Sequence, residues 1–303
     1  MAQAAYSEYH VPRDGHVLYA HSYAGANPAL VLMHGFPDNL HIYDALAPLL
    51  AAAGRRTVVF DFLGYGASDK PADYPYSTEG LEHDLQAVVD VLDLTAIVPV
   101  AHDASGPTAI NWALDHPERV AALALLNTYY DEAPTLRFPE LISLFSDPHY
   151  ADLAAALAGA PAQLGWVLAF QGRQMYRQVS APIREARERN PVILPIVQAQ
   201  FAAQPSVMPA FMRLTRELRA SVQVNTMRRA ELASLDVPVR LIWGADDPYL
   251  NRGVAEHFET LLPSVESSLL PLGHWPQVDD PGAVAGRLLE LPMHIRTRLT
   301  GEK

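Results

Sequence analysis

A chain of 303 residues, half of them apolar and 18% charged, is long enough to bury a large core in one or two domains. Its formal charge of −12 argues against a nucleic-acid partner, which needs clustered Lys and Arg. The lack of cysteine excludes disulfides, thiol catalysis and thiolate metal sites. The start, Met1-Ala2-Gln3-Ala4-Ala5, has neither the basic nor the apolar region of a secretion signal, and no apolar run reaches membrane-spanning length. The expectation is a cytoplasmic protein with no membrane partner, acting as a monomer or homodimer.

In chain order, residues 6–24 alternate polar and apolar around Arg13-Asp14-Gly15 and predict two short antiparallel strands. Ala29 to Met33 and Arg56 to Phe60 are continuous apolar runs, as strands buried on both faces require. They end in His34-Gly35-Phe36-Pro37-Asp38 and in Asp61-Phe62-Leu63-Gly64-Tyr65-Gly66-Ala67-Ser68. Helical spacing is predicted over 41–53 and over 77–92, the latter opened by a Ser77/Thr78 cap. A strand over 96–101 then meets Asp103, and a helix over 105–115 follows. Another strand is predicted from Val120 to Leu126. From 132 to 228 the periodicity is helical with Pro breaks, and strands resume at 237–243 and 267–270 before a last helix over 281–290. Alternating strands and helices interrupted by an all-helical insertion predict a mainly parallel α/β sheet with a helical cap. The expected division is a core of residues 1–131 and 229–303 around a cap of 132–228.

The stretch Ile97-Val98-Pro99-Val100-Ala101-His102-Asp103-Ala104-Ser105-Gly106-Pro107 carries the first chemical signal. A strand turning sharply into a helix holds one side chain at its apex on a strained backbone, and the residues two before and two after must be small. Asp103 satisfies this, with Ala101 and Ser105 at those positions. Ser105 does not, because Asp103 and Pro107 flank it, and a plain helix N-cap, which Asp also favours, does not predict the small neighbours. Two further residues follow strand ends: Asp247, in Gly244-Ala245-Asp246-Asp247-Pro248, and His274, in Gly273-His274-Trp275-Pro276. The order acid at the elbow, second acid, histidine is that of an α/β-hydrolase.

With these motifs the chain resembles the α/β-hydrolases over nearly its whole length, and within them the aspartate-nucleophile branch of epoxide hydrolases and haloalkane or haloacetate dehalogenases. The resemblance rests on His34-Gly35-Phe36-Pro37, the Asp61 to Ser68 loop, the Asp103 elbow and Gly273-His274-Trp275. It implies an eight-stranded sheet, Asp103 as nucleophile, Asp247 and His274 as its acid and base, and an oxyanion hole from the backbone N–H groups of Phe36 and Ala104. His34 and His102 are expected to be buried braces. No ligand spacing among the 12 histidines supports a metal, and no cofactor is implied.

A carboxylate, with a pKa near ~3.9 in water, is ionised at neutral pH and can attack an sp3 carbon unaided. The resulting alkyl ester would be hydrolysed by water that His274 activates. The bond broken depends on what receives the leaving group. Epoxide hydrolases use two cap tyrosines, and Tyr150 lies near where the first should fall. The second is expected in an Asn-aromatic-Tyr-Arg segment, whose nearest match, Asn225-Thr226-Met227-Arg228, has Met227 instead, so Tyr176 or Tyr130 would have to substitute. The tryptophan that follows the nucleophile in haloalkane dehalogenases is Ala104 here, and Pro107-Thr108 stand where haloacetate dehalogenases are expected to carry arginine, so a halide would need another cradle such as Trp166 or His149. The sequence therefore predicts first an epoxide-hydrolase-like enzyme taking water and a small or medium apolar substrate, second a dehalogenase, and third a binding protein without hydrolytic activity.

Overall fold

The computed structural model describes residues 5–293. Its frame is a single sheet in the order β1-β2-β4-β3-β5-β6-β7-β8, with β1 Tyr6–Arg13, β2 His16–Tyr23, β3 Ala26–Met33, β4 Arg55–Phe60, β5 Ile97–Asp103, β6 Leu123–Thr128, β7 Val239–Gly244 and β8 Val265–Leu270. β1 and β2 form a hairpin whose two turn residues, Asp14 and Gly15, both have positive φ, the backbone a two-residue hairpin turn requires. β2 pairs antiparallel with β4, and every other pairing is parallel.

The central strands are apolar throughout because both faces are covered. Along β3, Val31 and Met33 enter one core while Leu30 and Leu32 enter the other. The first core is closed by α2 Thr78–Val91, α3 Ser105–Asp115 and α10 Arg252–Leu261, and the second by α1 Leu46–Ala52 and α12 Pro281–Leu289. Ser77 caps α2, its hydroxyl accepting the Gly80 N–H. Between β6 and β7 lie α4 Glu140–Ser146, α5 Ala151–Ala158, α6 Pro161–Met175, α7 Ala181–Arg189, α8 Ile193–Ala202 and α9 Met208–Arg228. Proline stands in the first turn of α6, α7 and α9, where its missing N–H costs no helical bond. A short helix, α11 Pro276–Asp279, follows His274.

The largest departures from the sequence reading are at three elements. The helix expected over 41–53 is divided into a 3-10 turn, Leu40–Tyr43, and α1, because the Tyr43 hydroxyl reaches back to the Met33 carbonyl and fixes that turn against the sheet. β6 begins at Leu123, since Val120 makes only an isolated bridge to Ile97, and it runs on to Thr128. β8 begins at Val265 and is only half-buried, as an edge strand with β7 on one side. Among the described residues no single helix is long and apolar enough to cross a membrane.

Candidate active site

β5 ends at Asp103, whose φ of 51° lies in the left-handed region that non-glycine residues rarely occupy. The space around it explains the small neighbours. Ala101 is fully buried, and the Ser105 hydroxyl, also fully buried, donates to backbone carbonyls of Met33 and His102. A Cβ on Gly106 would stand 1.8 Å from the Thr128 hydroxyl oxygen, which itself binds the Asp103 carbonyl. A Cβ on Gly35 would stand 2.5 Å from the Asp103 Cβ and 2.7 Å from its Oδ2. Gly35→Ala is therefore expected to displace the carboxylate and lower turnover by about 10²-fold, the scale of a ~1 Å misplacement in a reacting pair, with circular dichroism unchanged.

The Asp103 carboxylate is held at one oxygen and open at the other. The Phe36 N–H donates to Oδ2 at 3.1 Å, and the Ala104 N–H also binds the carboxylate. Oδ1 lies 3.8 Å from His274 Nε2. Burial raises the carboxyl pKa, and His274 and the two N–H donors oppose that rise.

His274 is fixed from its other side. Its Nδ1 is 2.7 Å from Asp247 Oδ2, and Asp247 is fully buried. The Asp247 carboxylate accepts the Tyr249 and Leu250 N–H groups at Oδ1 and the Asn127 amide at Oδ2. Burial alone would lower the His274 pKa. The charges of Asp247, Asp103 and Asp38, with the Asp247 hydrogen bond, overcome it and push the value up to about 9. His102 Nε2 is 2.8 Å from the His274 carbonyl, so His102 braces the loop by donating that proton. His34 Nδ1 faces the Gly35 carbonyl at 2.7 Å, which leaves Nε2 to accept the Phe62 N–H. Burial lowers the pKa of both histidines, consistent with neutral braces. Asn127 is a residue the sequence reading missed. Its φ is 27°, and its amide bonds the Gly244 N–H and carbonyl as well as Asp247, so it joins the end of β6 to the loop after β7.

Above Asp103, Ala104, Phe36 and His274 lies a cavity of about 630 Å³, within the usual range for small-molecule sites. Most of its wall is apolar, supplied by the helices between β6 and β7, while Arg137, Arg173 and Arg184 stand on it as well. Tyr176 is in the wall, stacked on Trp275, and its buried hydroxyl has no hydrogen-bond partner among the described residues. Burial pushes its pKa well up, and the charges that act on it are Asp279, Arg187 and Asp38. The other candidate side chains are elsewhere. Tyr150 is 45% exposed and Trp166 65% exposed, both outside the wall, as is His149. Tyr130 turns its hydroxyl to Asn111 at 3.0 Å. Its neighbour Tyr129 lines the cavity instead, with no hydrogen bond to its hydroxyl among the described residues. Burial first and the Asp103 charge second push the Tyr129 pKa well up, which places it in the field of that carboxylate. Trp275 spends its indole N–H on Asp38 at 2.8 Å. Burial pushes Asp38 up to about 6, and the Trp275 hydrogen bond opposes it. Among the described residues no group of three or more His, Asp or Glu side chains could hold a metal ion.

The chain matches the family model for the alpha/beta hydrolase fold over residues 28–281. It is 43% identical to a fluoroacetate dehalogenase of a Burkholderia species over 108 residues, 34% of this chain and 35% of that one. It is 26% identical to the bifunctional epoxide hydrolase 2 of Sus scrofa over 294 residues, 88% of this chain and 51% of that one. The chain thus spans from about a third to about half the length of these relatives. Among solved structures it is similar to the haloalkane dehalogenase DbeA of Bradyrhizobium elkani, with a TM-score of 0.73 and 24% identity over 94% of this chain and 96% of that one. The matched span and the strand order agree: the chain belongs to the α/β-hydrolase fold family.

Proposed function

We propose that the protein hydrolyses a small or medium apolar epoxide through an alkyl ester on Asp103. The observation that carries this reading is that Tyr129 lines the cavity over Asp103 with no hydrogen bond to its hydroxyl among the described residues. Oδ2 is occupied by the Phe36 N–H, so Oδ1 attacks the ring carbon while the C–O bond opens and the departing oxygen takes the Tyr129 proton. Oδ2, already bonded by the Phe36 N–H, becomes the ester carbonyl oxygen, and the Ala104 N–H next to it in the chain is the second donor. His274 Nε2 then takes a proton from water, and the hydroxide adds to Asp103 Cγ. The two N–H groups hold the resulting oxyanion, an effect of roughly 3–4 kcal/mol per donor in related acyl chemistry. Collapse releases the diol, and the proton on His274 restores Tyr129. Epoxide plus water gives diol with no other reactant.

Dehalogenation through the same ester is the second reading, favoured by the names of the relatives. A tryptophan cradle for the halide is missing, since Trp166 faces outward and Trp275 is already bonded to Asp38, which leaves the wall arginines Arg137, Arg173 and Arg184 as the N–H donors for that reading. The two readings part at Tyr129→Phe, assayed against terminal epoxides and against haloalkanes. Ring opening needs the proton and is expected to slow about 10²- to 10⁴-fold, the usual share of a general acid. Release of halide by wild-type protein, with no diol from any epoxide, would replace the first reading by the second.

A further inference from the structure

We propose that Gln200, on α8, is a positioning residue through which the helices over the cavity set the Phe36 N–H against Asp103. This rests on the ester reading above. Gln200 is 5% exposed and spends its whole amide on two core loops. Nε2 donates to the Pro37 carbonyl at 2.6 Å and to the Asp38 carbonyl at 3.0 Å, while Oε1 accepts the Gly66 N–H at 2.7 Å. Pro37 and Asp38 directly follow Phe36, the donor to Asp103 Oδ2. Within the core the same two loops are joined by Asp61, which accepts the Leu40 and Ala67 N–H groups at 2.8 and 2.7 Å. Asp61 thus holds the loop from below, beyond the turn, and Gln200 holds it from above, at the turn. Docking of α8 and completion of the donor pair are one event.

The two chemical steps depend on that donor differently. In the free enzyme the Phe36 N–H stabilises the carboxylate, so loosening it does not slow attack by Oδ1. In the second step it receives a full oxyanion, so loosening it slows ester hydrolysis. Gln200→Met keeps the volume and removes all three hydrogen bonds. Rapid-quench mass spectrometry should show ester forming at the wild-type rate and hydrolysing at least about tenfold slower, so that ester accumulates in the steady state. Hydrogen exchange should quicken in peptides covering residues 34–40 and 62–68. Equal slowing of both steps would mark a merely structural role and overturn the proposal. So would unchanged exchange in those two peptides, which is read without any substrate and keeps its meaning if wild-type protein opens no epoxide. Failure of the ester reading shows separately, as the absence of any adduct on Asp103.

Discussion

His274→Gln is expected to stop the reaction halfway. Mixed with an epoxide that wild-type protein turns over, the variant should gain one substrate mass, carried by the peptide containing Asp103, and that equivalent should stay on the protein without appearing as diol. Two features of the site make the halt selective. Asp103 Oδ1 faces His274 Nε2 at 3.8 Å. Attack by a carboxylate needs no base, whereas attack by water does. Glutamine keeps a polar side chain of similar length but takes no proton, so hydrolysis should fall by about 10⁴- to 10⁶-fold, the range seen when a triad member is lost. Asp103→Asn is the matched control, because it leaves His274 and the cavity in place and should yield neither adduct nor product. Adducts from haloalkanes alone would move the assignment to dehalogenation. No adduct from either panel would sink the covalent mechanism.

The sequence made the frame and the three polar residues at strand ends legible for physical reasons. Strands buried on both faces read as unbroken apolar runs, and the elbow imposes steric rules that only small residues meet, so Ala101 and Ser105 announce Asp103. The cavity wall was less legible. Tyr130 was a candidate and Tyr129 was not, although they are adjacent. Which of the two faces the site depends on where β6 ends, and the expected end at Leu126 was two residues short of the observed Thr128. Tyr150 follows from where the resemblance puts the first cap tyrosine and Trp166 from its place in the cap, but which face a cap residue presents depends on packing, and packing puts both on the outside. Gln200 and Asn127 carried no motif at all. Their roles come from contacts between segments more than 100 residues apart in sequence, for which local pattern has no signature.

The charge of Asp103 should be readable in the titration of His274, and Asp247→Asn should undo it. In the free enzyme burial pulls the His274 pKa down while Asp247, Asp103 and Asp38 hold it up at about 9. Esterification removes the Asp103 charge, so the imidazole of the intermediate titrates below that value. The base needed in the second step is then available at a lower pH than a titration of the resting protein suggests. Two measurements bear on this. The His274 ring followed by NMR should show a lower pKa in Asp103→Asn, which mimics the neutral ester, than in wild type. The pH profile of kcat should rise to its plateau below pH 9. Stability carries the same sign. The folded pKa exceeds the unfolded value of about 6.5, so the contribution is complete below pH 6.5 and is lost as pH rises towards 9. Thermal stability should therefore decline more between those values in wild type than in His274→Gln. Asp247→Asn removes the largest effect raising the pKa, so the imidazole shifts towards its neutral form, with Asp103 and Asp38 still opposing burial. Neutrality alone does not restore activity. The amide can present its own N–H to Nδ1 and select the tautomer that puts the proton on Nε2, away from its use as a base. Turnover should fall by about 10⁴-fold at every pH, as it does when the acid of a comparable triad becomes an amide. A variant that is slow at pH 7 but recovers at higher pH would show that Asp247 acts by charge alone and not by fixing the ring.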